Sequence, residues 1–142
     1  MAEACRLVST GSCAPAFWRA TVPQANHDHP LVLVVEDEPL VRLDITLAMV
    51  DAGFSVIEVP DAEQAIELLE TRRSIGLVFT DVELAGSIDG FALASRIKSD
   101  WPHIPVLVTS GAARPERGIA DKFIPKPYST AAVISEARAL AA

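Results

Sequence analysis

The sequence predicts an α/β fold, a doubly wound parallel sheet with helices on both faces. Two features carry that prediction. From Leu31 onward, apolar runs of about five residues alternate with segments of helical periodicity, the pattern of strands joined by crossover helices. Right-handed crossovers then place helices on both faces of the sheet. Three of the apolar runs also end on a polar residue: Leu31–Val35 runs into Glu36-Asp37, Leu77–Thr80 into Asp81, and Pro105–Thr109 into Ser110. A fourth segment, Phe123-Ile124-Pro125-Lys126-Pro127, supplies a lysine. A buried strand needs no charge at its end, so these residues point to one shared site.

Each element has its own signals. The first helix is expected from about Pro39 to Ala52, with Pro39 in its first turn and Gly53 as terminator. Leu40, Leu43, Leu47 and Val50 recur at helical spacing and are expected to face the sheet. Ser55 to Val59 reads as the second strand. Asp61 caps the second helix with Gln64 three residues on as its capping-box partner, and Ala62, Ala65, Ile66 and Leu69 form its buried stripe. The third strand is expected near Gly76 to Thr80. A helix from Gly90 to Asp100 follows, with Phe91, Ala94 and Ile97 inward and Trp101-Pro102 ending it. Val106 to Thr109 is the fourth strand and Lys122 to Ile124 a short fifth. Ser129 caps a final Ala-rich helix. Between Ser110 and Lys126 there is room for only a short fourth helix, because Pro115 and Gly118 limit its length. Residues Gly111 to Asp121 are expected as a mobile segment with at most one or two helical turns.

At 142 residues the chain fits one domain with a real core. Hydrophobic content of 50% with 22% charged residues is that of a globular protein. A net charge of −7 argues against a surface that neutralises nucleic-acid phosphates. No stretch approaches the roughly 18 apolar residues of a membrane span, so neither nucleic acid nor membrane is an expected partner. Residues 1–30 show no periodicity and are expected as a disordered leader before a domain at 31–142. Leu7-Val8 is the only apolar pair before Gly11, too little for a secretory signal core. Cys5 and Cys13 both precede the globular pattern, so a disulfide framework is not expected and a reducing, cytoplasmic compartment fits. His27-Asp28-His29 reads as solvated linker, and Phe17-Trp18 as a pair that could pack on the domain or a partner.

In a doubly wound sheet, ligands bind beyond the carboxyl ends of the strands, where strand order reverses. Glu36, Asp37, Asp81, Ser110 and Lys126 all lie at such ends, so their convergence follows from the fold. Carboxylates packed at about 5 Å with an effective dielectric near 20 repel by roughly 3 kcal/mol per pair. All-oxygen ligands of this kind suit Mg²⁺ or Mn²⁺.

Taken together and in this order, these motifs resemble the receiver domain of two-component response regulators, over Leu31 to Ala142. The resemblance implies a (βα)5 flavodoxin-like fold with strand order 2-1-3-4-5. It implies that Asp81 accepts a phosphoryl group from a sensor histidine kinase or a histidine phosphotransfer protein. Asp37, Glu36 and Asp81, with the main-chain carbonyl of Glu83, would hold the metal. Lys126 would pair with the phosphoryl oxygens and the Ser110 hydroxyl would bond one of them, with Ser110 and Phe123 acting as the switch. Phosphoryl transfer is mainly positioning and charge neutralisation, so this inventory suffices.

The chain departs from the family pattern in places. Glu36 stands where an aspartate is common and Ser110 where a threonine is common. Leu84-Ala85 replace a usual Met-Pro, with a longer loop to Gly90, and Phe123 lacks a tyrosine hydroxyl. Lys126-Pro127 matches a bond that is cis in receivers. Sixteen residues follow Lys126, room for one helix and no output domain. The expectation is a single-domain response regulator that signals by protein contacts or relay, an enzyme only toward its own phosphorylation and dephosphorylation. Two other classes compete: a pseudo-receiver that binds partners without phosphorylation, and an aspartyl-phosphate hydrolase resembling the haloacid dehalogenases. The latter family places a second Asp two positions after its nucleophile, where this chain has Pro39 after Asp37.

Overall fold

A computed structural model of the chain describes residues 31–72, 74–112 and 118–141. The leader at 1–30, with its cysteines, His27-Asp28-His29 and Phe17-Trp18, lies outside the described residues. So do positions 113–117 of the predicted short fourth helix.

Five strands form one parallel sheet: β1 Leu31–Val35, β2 Ser55–Val59, β3 Ile75–Asp81, β4 Val106–Ser110 and β5 Lys122–Pro125. Their order is β2-β1-β3-β4-β5, as the resemblance implies. Four helices are described: α1 Pro39–Asp51, α2 Ala62–Thr71, α3 Gly90–Asp100 and α4 Thr130–Ala141. Among the described residues no helix separates β4 from β5.

The alternation of β1 explains the two-sided core. Val32 and Val34 point to one face, where they meet Ile45 and Met49 of α1 and Val133 and Ala137 of α4. Leu33 and Val35 point to the other, onto Ala62, Ala65 and Leu69 of α2 and Leu93, Ala94 and Ile97 of α3. A strand buried on both faces must be apolar at every position, which is why these runs lack the period-2 polarity of a half-exposed strand. Each fully buried aliphatic side chain contributes about 1.5–3 kcal/mol relative to exposure.

The helix ends follow their capping chemistry. Pro39 sits in the first turn of α1, and Gly53 takes a φ of 97° just past its end, a left-handed conformation that glycine adopts without a Cβ clash. Asp61 accepts from the Gln64 N–H at 2.8 Å and from the Gln64 side-chain amide at 3.1 Å. Asp89 caps α3 through the Ala92 N–H, and Ser129 caps α4 through the Ala132 N–H. The Lys126-Pro127 bond is cis.

One sequence expectation fails. Leu40, Leu43, Leu47 and Val50 do not face the sheet; each is half or more exposed, and α1 buries Ile45 and Met49 instead. The physical reason is that α1 carries two apolar stripes on opposite sides, and helical spacing alone cannot say which one the sheet takes. In α2 and α3 a single stripe exists, and there Ala62, Ala65, Leu69, Ala94 and Ile97 are buried as expected, with Ile66 and Phe91 half-buried.

Gly90 opens α3 directly against the end of β3. A Cβ built there would lie 2.1 Å from the Asp81 carbonyl oxygen and 2.6 Å from the Val82 Cα, and both are backbone atoms. The Gly90 N–H donates to the Val82 carbonyl at 2.9 Å, so this contact fixes the chain just after Asp81. Gly90→Ala is expected to lower stability by about 1–3 kcal/mol through forced backbone displacement, read by urea denaturation. An unchanged midpoint would show that the approach is not a constraint.

Candidate functional site

The carboxyl ends of β1, β3, β4 and β5 converge on one crevice. Glu36 and Asp37 follow β1, Asp81 is the last residue of β3, Ser110 the last of β4, and Lys126 the first beyond β5. Glu36, Asp81 and Ser110 are buried. Carboxylate oxygens of Glu36, Asp37 and Asp81 lie within 4.8 Å of one another, so the three acids predicted from sequence do form one group.

Asp81 is held from two sides. The Lys126 ammonium donates to Asp81 Oδ2 at 2.7 Å, and the Glu83 backbone N–H donates to Asp81 Oδ1 at 3.2 Å. Asp37 Oδ2 accepts from the Ala85 N–H at 3.1 Å, which ties the turn after β1 to the loop after β3. Glu36 Oε1 accepts from the Glu38 N–H at 3.1 Å, and Arg42 clamps the Glu36 carbonyl at 2.8 Å. The other Glu36 oxygen, Oε2, is buried without a hydrogen-bond partner.

The electrostatics follow from that crowding. Burial, with the nearby Asp81 charge added, pushes the Glu36 carboxyl up to about 7. Burial and the carboxylate of Glu83 raise Asp81 as well. Burial alone would lower the Lys126 ammonium, but its bond to Asp81 and the charges of Asp81 and Glu36 raise it. Burial, then the Glu36 charge, pushes the Tyr128 phenol up to about 12; its ring sits edge-on to Phe79.

Two features went unread in the sequence. Ser110 does not stand open toward Asp81: its hydroxyl donates to Glu83 Oε1 at 2.6 Å and accepts from the Ala112 N–H at 3.2 Å. The bond to Asp81 comes first among the causes that lower the Glu83 carboxyl, ahead of the bond from Ser110. Glu83 was expected to contribute only its main-chain carbonyl, and its side chain is the more conspicuous participant. Its position two residues after Asp81 was the available signal. Phe123, the proposed switch aromatic, is half-buried on β5 and registers with Val108 on β4, two positions before Ser110.

A divalent cation fits this donor set. Three carboxylates at close range need a positive charge between them, and the buried Glu36 Oε2 lacks any donor. Hard oxygen ligands with open positions suit Mg²⁺ or Mn²⁺ rather than a softer metal.

Comparison with known proteins agrees with this geometry. A family model described as the response regulator receiver domain matches residues 32–138, and the chain belongs to that family. It is 33% identical over 105 residues to the nitrogen assimilation regulatory protein NtrX of Azorhizobium caulinodans, covering 69% of this chain and 23% of that protein. It is 32% identical over 145 aligned residues to the gliding motility regulatory protein of Myxococcus xanthus, covering 96% of this chain and 17% of that protein. The chain thus spans less than a quarter of the length of these relatives. A response regulator receiver protein of Sinorhizobium medicae superposes with a TM-score of 0.73 at 30% identity, over 80% of this chain and 94% of that one. Residues 32–138 therefore form a response regulator receiver domain. Among the described residues, no helix is long and apolar enough to cross a membrane.

The raised Glu36 carboxyl sets a pH dependence. Between the ordinary glutamate value of 4.5 and about 7, the folded protein holds a proton that the unfolded chain has released. Stability of the metal-free protein therefore falls as pH rises through that window, by up to about 3 kcal/mol. Glu36→Gln is expected to flatten this dependence and to melt above wild type at pH 8 without metal. Thermal melts from pH 4.5 to 8 check it; a Gln variant with the same slope would place the titration elsewhere.

Proposed function

We propose that this receiver takes a phosphoryl group onto Asp81 from a phosphohistidine on a sensor kinase or phosphotransfer protein, in the cytoplasm. It then signals through changed protein contacts or passes the group onward, residues 31–142 acting as one receiver unit. The observation that carries this reading is Asp81 itself. It is a buried carboxylate at a strand end, with one oxygen on Lys126 and two further acids beside it. In the transfer an Asp81 oxygen attacks phosphorus, the P–O bond forms, and the P–N bond to the donor imidazole breaks. Aspartate suits a switch because its acyl phosphate is labile.

Glu36, Asp37 and Asp81, with the Glu83 carbonyl, are the residues that would hold Mg²⁺ or Mn²⁺. Bound there, the ion would neutralise charge on the acids and on the incoming phosphoryl oxygens. Lys126 already bonds the Asp81 carboxylate, so it is placed to follow the developing charge onto the phosphoryl group. Ser110 is the second donor, and Glu83 now occupies it. A phosphoryl group on Asp81 would compete with the Glu83 carboxylate for the Ser110 hydroxyl. The movement of Ser110 toward phosphate, followed by Phe123, is the proposed switch step.

Acetyl phosphate with Mg²⁺ is expected to add one phosphoryl group by intact mass, and chelation or Asp81→Asn to abolish it. Labelling that persists undiminished in Asp81→Asn would sink the assignment, and no adduct on wild type with any donor would favour a pseudo-receiver. Glu83→Gln keeps the side-chain length but removes a charge that repels phosphate. Its adduct formation rate is expected to rise severalfold, since one lost repulsion of about 1 kcal/mol is worth roughly fivefold. A slower rate in Glu83→Gln would mean that the Glu83 carboxylate assists the transfer instead of opposing it.

A further inference from the structure

The loop between β3 and α3 makes three of the contacts that shape the crevice. The Glu83 N–H donates to Asp81 Oδ1 at 3.2 Å, and the Glu83 carboxylate accepts the Ser110 hydroxyl at 2.6 Å. The Ala85 N–H donates to Asp37 Oδ2 at 3.1 Å. A loop has no strand ladder to hold such positions, so its own anchors decide how well they are kept. Gly90 fixes its far end against β3. Its tip is fixed by a different element, α2. The Ser87 hydroxyl donates to Glu63 Oε1 at 2.9 Å, across 24 residues of sequence. Both Glu63 carboxylate oxygens also lie 3.3 Å from where a Cβ on Gly86 would stand. Gly86 has a φ of 104°, a conformation suited to glycine, and the space its missing side chain leaves is where the carboxylate sits.

The base of that contact is firm. Ala62 and Ala65, on either side of Glu63 in sequence, are fully buried, and Asp61 caps α2 through the Gln64 N–H. A glutamate in the first turn also favours the helix dipole, but that role would leave its carboxylate free to stay in water. Here it reaches across to the loop. We propose that Glu63 is a positioning residue for the divalent-metal site, acting through Ser87. It holds the loop that carries the Glu83 carbonyl and the Ala85 N–H bonded to Asp37, so the ion need not order that loop when it binds. The proposal rests on Glu36, Asp37 and Asp81 being that ion's site. Glu63 is not among those clustered acids, so its contribution is made through the loop and not by ligation.

The test measures Mn²⁺ binding to the full chain from the electron paramagnetic resonance signal of the free ion, with no phosphodonor present. Ser87→Ala removes the hydroxyl and leaves α2 intact, and its dissociation constant is expected to rise about three- to tenfold. Glu63→Ala should do the same, and the double variant should be no worse than either, because all three lose one contact. Glu63→Gln keeps an oxygen for the Ser87 hydroxyl and should stay within about twofold of wild type. With acetyl phosphate, Ser87→Ala should need more Mg²⁺ for half-maximal adduct formation while keeping the rate at saturating Mg²⁺. General destabilisation would not give that split. Wild-type affinity in Ser87→Ala, or losses that add in the double variant, would overturn the proposal. So would Glu63→Gln binding as weakly as Glu63→Ala, since the charge and not the contact would then be responsible. A wild type that binds no Mn²⁺ would overturn the metal site and the role of Glu63 together, whereas unaltered variants beside a binding wild type would overturn the role of Glu63 alone.

Discussion

The ion pair between Asp81 and Lys126 is the interaction on which the rest of the site depends. It spans from β3 to the residue beyond β5, with β4 lying between them, so it fixes the far side of the sheet to its centre. A carboxylate as buried as Asp81 cannot stay charged beside Glu36 and Asp37 without a cation at bonding distance. With Lys126 in place, one positive charge stands against three acids, and that shortfall is what makes the crevice attractive to a divalent ion. The Lys126 N–H also donates to the Ser110 carbonyl at 2.9 Å. Through that one residue Asp81, Ser110 and the last strand are mechanically joined.

Precise placement of Asp81 then needs the backbone after β3 to be fixed as well. Gly90 supplies this from the far end of the loop, by letting α3 approach closer than any side chain would allow. Asp37 supplies it from β1, through the Ala85 N–H. The loop from Val82 to Asp89 is thus closed at its ends by the Gly90–Val82 bond and held in its middle at Ala85. The tip of that loop is tied as well: Ser87 donates to Glu63 on α2 at 2.9 Å.

The sheet and the acidic set were legible in the sequence because both are consequences of position along a strand. A run such as Leu31–Val35 is apolar throughout only if both faces are covered, and the polar residue that follows it then lies at the carboxyl end of the sheet. Asp61 and Ser129 were legible as caps because capping is local. The inward face of α1 was not legible, because Leu40, Leu43, Leu47 and Val50 form as regular a stripe as Ile45 and Met49 do. Which stripe the sheet takes is decided by crossover geometry, not by hydrophobicity. The Glu83 side chain was missed for a different reason: it lies in a loop, where no periodicity reports direction, and its partner Ser110 is 27 residues away.

The two features that cost this fold free energy have the same form. Inside the crevice, a buried Glu36 oxygen lacks a donor and three acids share one ammonium. On α1, Leu40, Leu43, Leu47 and Val50 are half or more exposed among the described residues. An evolved domain could remove either: a glutamine at 36 would relieve the charge, and lysines on α1 would solvate the strip. Neither change would disturb the core, because neither position contributes to the packing of the two apolar layers. In the crevice that cost is one a divalent cation would offset, since oxygens of Glu36, Asp37 and Asp81 lie within 4.8 Å of one another and a hard cation takes such a donor set.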